Sequence, residues 1–300
     1  MQLGFVSAIL GDLSLEDVFA LAAQEKFDCV ELMCWPTGGA DRRYAGVTHI
    51  DVAKVDASEA ERIRGLSKKH GVAISGLGYY PNPLDPDPAT RQVCIEHLKK
   101  VISAAKTLGV GIVNTFIGRD QRLTIADTWP QVEQTWPDIV RHAGACNIQL
   151  GIENCPMLFT PNEWPGGKNL PTTPAIWRRL FEMYPTLGLN FDPSHLIWQQ
   201  IDYVRCIREF GKKIVHVHAK DTRIDLDKLY EHGVMGFGWH TAKIPGLGEV
   251  DWGAFFAALT DAGYNGAVCI EVEDRAFEGS RADRIRALQQ SGRFLRQFIA

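Results

Sequence analysis

The chain has 300 residues, 45% of them hydrophobic and 23% charged, and its 32 Lys and Arg against 36 Asp and Glu leave a net charge of −4. That balance fits a globular chain with a sizeable core and argues against a nucleic-acid partner, since domains that grip nucleic-acid backbones are usually strongly basic. No apolar run approaches the ~18 residues of a membrane helix, and seven cysteines without CxxC spacing read as buried thiols of a reducing compartment. The N-terminal MQLGFVSAIL has no basic segment before its apolar residues and leads into a strand, so a cytoplasmic location is expected.

In chain order the pattern is strand then helix, repeated. Residues 2–9 read as a first strand, followed by a helix capped at Asp12 or Ser14 and running to about Glu25. Residues 28–35 form the second strand, and after a polar excursion a helix spans 58–70. The third strand, 72–79, stops at PNPLDPDP, and apolar residues at helical spacing (Val93, Leu98, Val101, Ile102, Ala105) predict a helix over 91–108. Strand four covers 110–117, a long helix 125–147 and strand five 148–154. The sixth strand lies in LGLNFDPSHL (187–196) and leaves the sheet at Pro193, which cannot donate to a ladder. Strands seven and eight fall at 213–220 and 266–273, with helices at about 200–210, 251–262 and 279–298.

Apolar strands of this length are buried on both faces, as parallel strands are. Eight of them alternating with helices, with no linker and no break in composition, predict a single (β/α)8 barrel domain over 1–300. A doubly wound open sheet is the competitor, and the lack of a Gly-rich dinucleotide loop after the first strand counts against it. Two connections, 155–174 and 222–249, are longer than a barrel needs and are expected to sit as lids on the carboxyl-end face. They carry Phe159, Trp164, Tyr230, Phe237 and Trp239, flat apolar surfaces suited to stacking on sugar rings. Neither shows a glycine-rich phosphate cradle or a cluster of arginines, so an unphosphorylated substrate is expected.

The ends of strands five to eight carry the chemistry. Glu153, Asp192, His218 and Glu271 stand one on each strand end, where a barrel places its active face. Three clustered carboxylates repel one another unless a cation lies between them. Oxygen ligands with one imidazole nitrogen suit Mn²⁺, Mg²⁺ or Co²⁺, and Zn²⁺ is admissible. His216, one pleat period before His218, reads as a support for it.

The blocks IEN (152–154), NFDPSH (190–195), HVHAKD (216–221), PGLGEVDW (245–252) and CIEVED (269–274) resemble the xylose-isomerase-like barrels known as sugar-phosphate isomerases and epimerases. Ketose 3-epimerases, inosose dehydratases and inosose isomerases are among them. The resemblance extends to EHLKKVISAAKTLGV (96–110) and VNTFIG (113–118). It implies metal ligands at Glu153, Asp192, His218 and Glu271, an acid/base pair at Glu153 and Glu271, and a substrate-contacting histidine at His195. The ketose 3-epimerases place an arginine a few residues past the metal histidine. Here Arg223 opens the long inserted connection instead, and that connection offers His240 and Lys243 as further substrate contacts, beside Trp164 and Trp239. A weaker likeness to DNA-repair endonucleases of the same barrel fails on the histidine content and the charge balance.

The expected function is a divalent-metal-dependent isomerase or epimerase of a small sugar or cyclitol. It would remove a proton beside a metal-chelated carbonyl and return it. The alternatives are a lyase or dehydratase acting on an inosose, 3-keto sugar or glycoside, and a non-catalytic sugar-binding barrel. A homo-oligomer is compatible with all three.

Overall fold

The computed structural model describes residues 1–38, 44, 46–158, 160, 163 and 166–299. Seven barrel strands come first: β1 Gln2–Val6, β2 Cys29–Met33, β3 Ala73–Gly78, β4 Ile112–Thr115, β5 Gln149–Glu153, β6 Gly188–Phe191 and β7 Ile214–Ala219. Strands β8 Asp221–Ile224 and β9 His240–Lys243 then pair as an antiparallel hairpin outside the barrel. Strand β10 Ala267–Ile270 returns to the barrel and lies between β1 and β7, so the parallel sheet closes on itself and has no edge. The helices are α1 Leu15–Gln24, α2 Ala57–His70, α3 Pro88–Leu108, α4 Ile125–Cys146, α5 Pro174–Met183, α6 Ser194–Ile197, α7 Tyr203–Phe210, α8 Leu226–His232, α9 Trp252–Asp261 and α10 Arg281–Leu295. No helix among the described residues is long and apolar enough to cross a membrane.

Local chemistry sets the helix ends. Ser14, Asp56, Asp87, Thr124, Asp251 and Ser280 each accept a backbone N–H in the first turn of the helix they precede. Helix α3 therefore begins at Pro88 rather than at 91. Asp87 caps it, and proline suits the first helical position because the N–H it lacks would have no partner there. The helix ends at Gly109, whose left-handed φ of +74° favours glycine.

The pleat of the strands sorts side chains into two layers. Leu150, Ile152, Leu189, Phe191, Val217, Ala219 and Ile270 point outward into the apolar layer shared with the helices. Inward-pointing positions are different in kind. Val6, Cys29, Met33, Tyr80, Phe116 and Cys269 form a small apolar cluster, and Glu31, Asn114, Glu153, Asn190, His216 and His218 are buried beside it. Hydrophobic burial between barrel and helices holds the fold, while the lumen is left to polar groups that must satisfy one another.

The connection 222–249, expected as a lid, has secondary structure of its own. It folds as β8, α8 and β9, with Asp221 paired to Lys243 and Ile224 to His240. The buried carboxylate of Asp221 anchors it. Its Oδ1 accepts the N–H groups of Thr222 at 2.9 Å and Val250 at 3.0 Å, and its Oδ2 accepts those of Gly246 and the Trp252 indole, each at 3.0 Å. A Cβ on Gly248 would lie 2.3 Å from Asp221 Oδ1, so that glycine is needed for the close approach. The last residue of HVHAKD and the whole of PGLGEVDW are thus one structural device. Asp221→Asn should turn one acceptor into a donor facing two buried N–H groups. A loss of about 3 kcal/mol is expected, read as a lower denaturant midpoint at unchanged slope.

Candidate active site

The carboxyl ends of β5, β6, β7 and β10 aim four donors at one point. Ligand atoms of Glu153, Asp192, His218 and Glu271 all lie within 4.8 Å of one another. His218 Nδ1 is 3.5 Å from Glu153 Oε1 and 3.6 Å from Glu271 Oε2, and although buried it has no hydrogen-bond partner. Each donor is fixed from behind. Asn154 donates to the carbonyl of Asp192, and its own Oδ1 accepts the Asp192 N–H, both at 2.8 Å, so the ends of β5 and β6 are clasped. The N–H of Ser194 takes Asp192 Oδ1, leaving Oδ2 for the centre. Asn169 donates to the carbonyls of Glu153 and Cys155 and steadies the turn that follows β5.

A buried lysine stands among these acids. Lys220 Nζ lies 2.5 Å from Glu271 Oε2, 2.9 Å from Glu273 Oε2 and 3.1 Å from Asp192 Oδ2. Burial disfavours its charge, but Asp192, Glu271 and Glu273 outweigh that and hold the ammonium well above its ordinary pKa. His218 is raised too, burial opposing and Glu31, Glu271 and Glu153 prevailing. Burial pushes Glu271 up to about 8, with Lys220 working against it and Glu273 and Glu153 with it. The place favours positive charge, and a buried ring nitrogen without a hydrogen-bond partner, set among carboxylates, is where a divalent cation could take the place of a proton. The residues present fit such an ion. Cys155 near Glu153 does not add a thiolate, because burial and the Glu153 charge keep its thiol protonated.

The acids form one wall of a cleft at the mouth of the barrel. Glu153, Lys220, Glu271 and Glu273 line that side, and Met33, Trp35, Tyr80 and Phe116 line the other.

The family model for xylose isomerase-like TIM barrels matches residues 19–298. The chain belongs to that family. It is 27% identical over 329 aligned positions to the uncharacterized protein YfiH of Bacillus subtilis strain 168, covering 97% of this chain and 99% of that one. An inosose dehydratase of Geobacillus thermodenitrificans is 32% identical over 114 residues, which is 36% of this chain and 38% of the dehydratase. Among solved structures, D-psicose 3-epimerase with D-tagatose from Clostridium cellulolyticum H10 superposes with a TM-score of 0.71 at 16% identity, over 100% of this chain and 99% of that one. The IOLI protein with a bound zinc atom gives 0.73 at 16%, over 100% of both. At such identity the structural likeness is one of fold.

Within this family barrel, the residues expected from the sequence fall into two groups. Glu153, Asp192, His218 and Glu271 meet at the centre. His195 joins them, its Nε2 lying 3.4 Å from Asp192 Oδ2 and 3.8 Å from Glu153 Oε1. The other expected substrate contacts are placed elsewhere. Arg223 is exposed on β8. His240 stacks on Trp198 at 4.6 Å, and Lys243 donates to Asp274 Oδ1 at 2.9 Å, so both hold the hairpin against the barrel. Trp239 is 4% exposed and donates to the carbonyl of Gly236, which spends its face on packing the hairpin. Phe159 and Trp164 lie outside the described residues. Among the described residues the aromatic wall of the cleft comes from the β2–β4 side.

Three charged residues of the site escaped the sequence reading, as did the cleft aromatics Trp35, Tyr80 and Phe116. Lys220 and Glu273 follow His218 and Glu271 by two positions, and the strand period alone puts them on the same side. Glu31 was hidden in CVELM, where a single acid in an apolar strand is the only signal.

His195 offers a pH signature. Burial, helped by the Lys220 charge, lowers it to about 3, so the folded site keeps the ring neutral where the unfolded chain takes a proton. A histidine depressed in this way contributes stability that is present above the unfolded value near ~6.5 and lost as pH falls toward 3. Unfolding midpoints of the unliganded protein and of His195→Gln, measured from pH 7 down to pH 4, should therefore converge as the pH drops. Parallel curves would rule this out.

Proposed function

We propose that the protein is a divalent-metal-dependent isomerase or epimerase of a small uncharged sugar or cyclitol. Glu153, Asp192, His218 and Glu271 hold the ion, and Glu153 and Glu271 serve as the acid/base pair. The observation that carries this reading is the convergence of four strand-end donors around the partnerless Nδ1 of His218. Three carboxylates and one imidazole suit Mn²⁺, Mg²⁺, Co²⁺ or Zn²⁺. Such an ion supplies positive charge to a carbonyl oxygen and its neighbouring hydroxyl as the adjoining C–H gives up its proton.

The chain's own residues do the rest. Glu153 and Glu271 reach the centre from β5 and β10, with β6 and β7 between them, and so approach a bound carbon from two directions. One takes the proton from that carbon, and the other returns a proton to it. His195, neutral beside Glu153 and Asp192, is placed to orient a substrate hydroxyl. The ring's C–H face lies against Tyr80, Phe116 and Trp35. Among the described residues that line the cleft Lys220 is the one cation, and it is held by three carboxylates, so this wall favours a neutral polyol over a phosphate.

Lys220 also supports a second reading, that of a lyase or dehydratase. Its ammonium beside Glu271 and Glu273 would steady a departing oxygen. One glutamate takes the carbon-bound proton, the other hands its own to the β-hydroxyl, water leaves and a C=C bond forms. The partial-length likeness to an inosose dehydratase supports this as well.

The test is wash-in of solvent deuterium at substrate C–H positions, followed by NMR over ketoses, inososes and 3-keto sugars with each of the four ions. Exchange is expected, and Glu153→Gln and Glu271→Gln should slow it about 10²–10⁴-fold, with metal content measured alongside. No exchange with any substrate and ion leaves the non-catalytic sugar-binding barrel. Product mass separates the first two readings: unchanged mass with altered retention marks the isomerase or epimerase, and loss of water the lyase.

The cleft wall can be tested by itself. Trp35→Ala should raise KM about 2–12-fold with kcat held, corresponding to the ~0.5–1.5 kcal/mol of one ring contact. An unchanged KM would remove Trp35 from the binding surface.

A further inference from the structure

The lumen behind the site holds a chain of polar groups whose hydrogen bonds run in one direction. His216 Nδ1 lies 2.9 Å from Asn190 Oδ1, an oxygen that only accepts, so that nitrogen carries a proton. Its Nε2 then accepts from Ser75 Oγ at 3.1 Å. With Asn190 Oδ1 committed to His216, the Asn190 amide nitrogen faces Tyr80 and donates to its hydroxyl at 3.1 Å. Tyr80 in turn donates to Glu31 Oε1 at 2.5 Å. The other oxygen of Glu31, Oε2, lies 2.7 Å from His218 Nε2, which must donate to it. The Asn190 amide also lies 3.0 Å from this Nε2, but the shorter contact to the Glu31 carboxylate, which can only accept, decides where the proton sits. With Nε2 committed to Glu31, His218 turns Nδ1 toward Glu153 and Glu271.

Glu31 is fully buried, and nothing at the cleft needs its charge directly. Space has been kept for it. A Cβ on Gly78, the neighbouring position on β3, would lie 2.5 Å from Glu31 Oε1. Glu31, His216 and His218 bring three ligand-type atoms within 4.8 Å of one another. Both nitrogens of His216 and Nε2 of His218 are already committed to Asn190, Ser75 and Glu31, so neither ring has a free nitrogen for an ion there.

We infer that Glu31 is the positioning residue of the cation site: held by Tyr80 in the gap left by Gly78, its carboxylate takes the Nε2–H of His218 and fixes Nδ1 as the donor atom. A carboxylate behind a ligating imidazole sets the ring's orientation and raises its basicity, and losing such a partner typically weakens metal binding 10–100-fold. The inference rests on the metal-dependent reading above.

Co²⁺ is the probe. Chelator competition on the full chain should give Glu31→Gln an affinity 10–100-fold below that of the unaltered protein. In the Co²⁺-loaded protein the Nε2–H of His218 should appear as a hyperfine-shifted proton resonance that vanishes in D₂O. That resonance should exchange faster with water in the variant. Gly78→Ala, which pushes the carboxylate aside without removing it, should reproduce both effects and serves if Glu31→Gln does not fold. Glu31→Asp, which keeps the charge on a shorter arm, should recover part of the affinity. A lowered unfolding midpoint with unchanged Co²⁺ affinity and an unchanged N–H resonance would show Glu31 to be merely structural and overturn the inference alone. Failure of the unaltered protein to bind Co²⁺ would overturn both this inference and the metal-dependent reading.

Discussion

The burial of acids at one end of the barrel constrains everything else in this protein. Glu31, Glu153, Asp192, Glu271 and Glu273 gather there, and among the described residues Lys220 and His218 offset them. Unpaired charge in a low-dielectric interior is costlier than any single apolar contact is favourable. The arrangement therefore persists only where each oxygen has a donor and the excess of negative charge has somewhere to go. Lys220 takes the share of Asp192, Glu271 and Glu273, and His218 takes that of Glu31. What is left lies around His218 Nδ1, where a divalent ion would nearly cancel it.

The fold tolerates this because stability and chemistry occupy different layers. The apolar layer lies outside the sheet, between strands and helices, and owes nothing to the lumen. The lumen of a (β/α)8 barrel is ordinarily packed with branched apolar side chains. Here it is given over to Asn190, His216, His218 and Glu31, and their directional hydrogen bonds replace packing as the source of order. Each such bond adds little net stability, whereas each unmade one is expensive. A network of this kind specifies positions more than it strengthens the fold.

That separation also explains what could be seen in the sequence. The barrel was legible because its strands are apolar on the outward face and its helices carry their caps in plain view. Glu153, Asp192, His218 and Glu271 were legible because each follows an apolar strand at the point where the sheet ends. Glu31 was not, since its meaning lies in a partner 187 positions away. The placement of Trp239 was hidden for a related reason. Whether Trp239 faces a ligand depends on the pairing of β8 with β9, which Asp221 sets through backbone groups far along the chain. Composition could suggest stacking surfaces but could not say which of them the hairpin would bury.

The six residues HVHAKD show how closely the two tasks are interleaved. His216, His218 and Lys220 point inward and deal with charge, while Val217 and Ala219 point outward and pack against the helices. Asp221 faces neither way and ties the strand to the PGLGEVDW segment. A likeness in such a motif therefore reports the architecture and the site together, and only the inward set bears on the reaction. The cleft in front of that set has an acidic wall from β5, β7 and β10 and an aromatic wall from the β2–β4 side. A ring with one hydroxyl-rich edge and one C–H face matches both walls at once. A phosphorylated sugar would bring its charge to a wall whose one described cation is already committed to three carboxylates. In the proposed reaction such walls would select on charge before a substrate carbon reached Glu153 and Glu271.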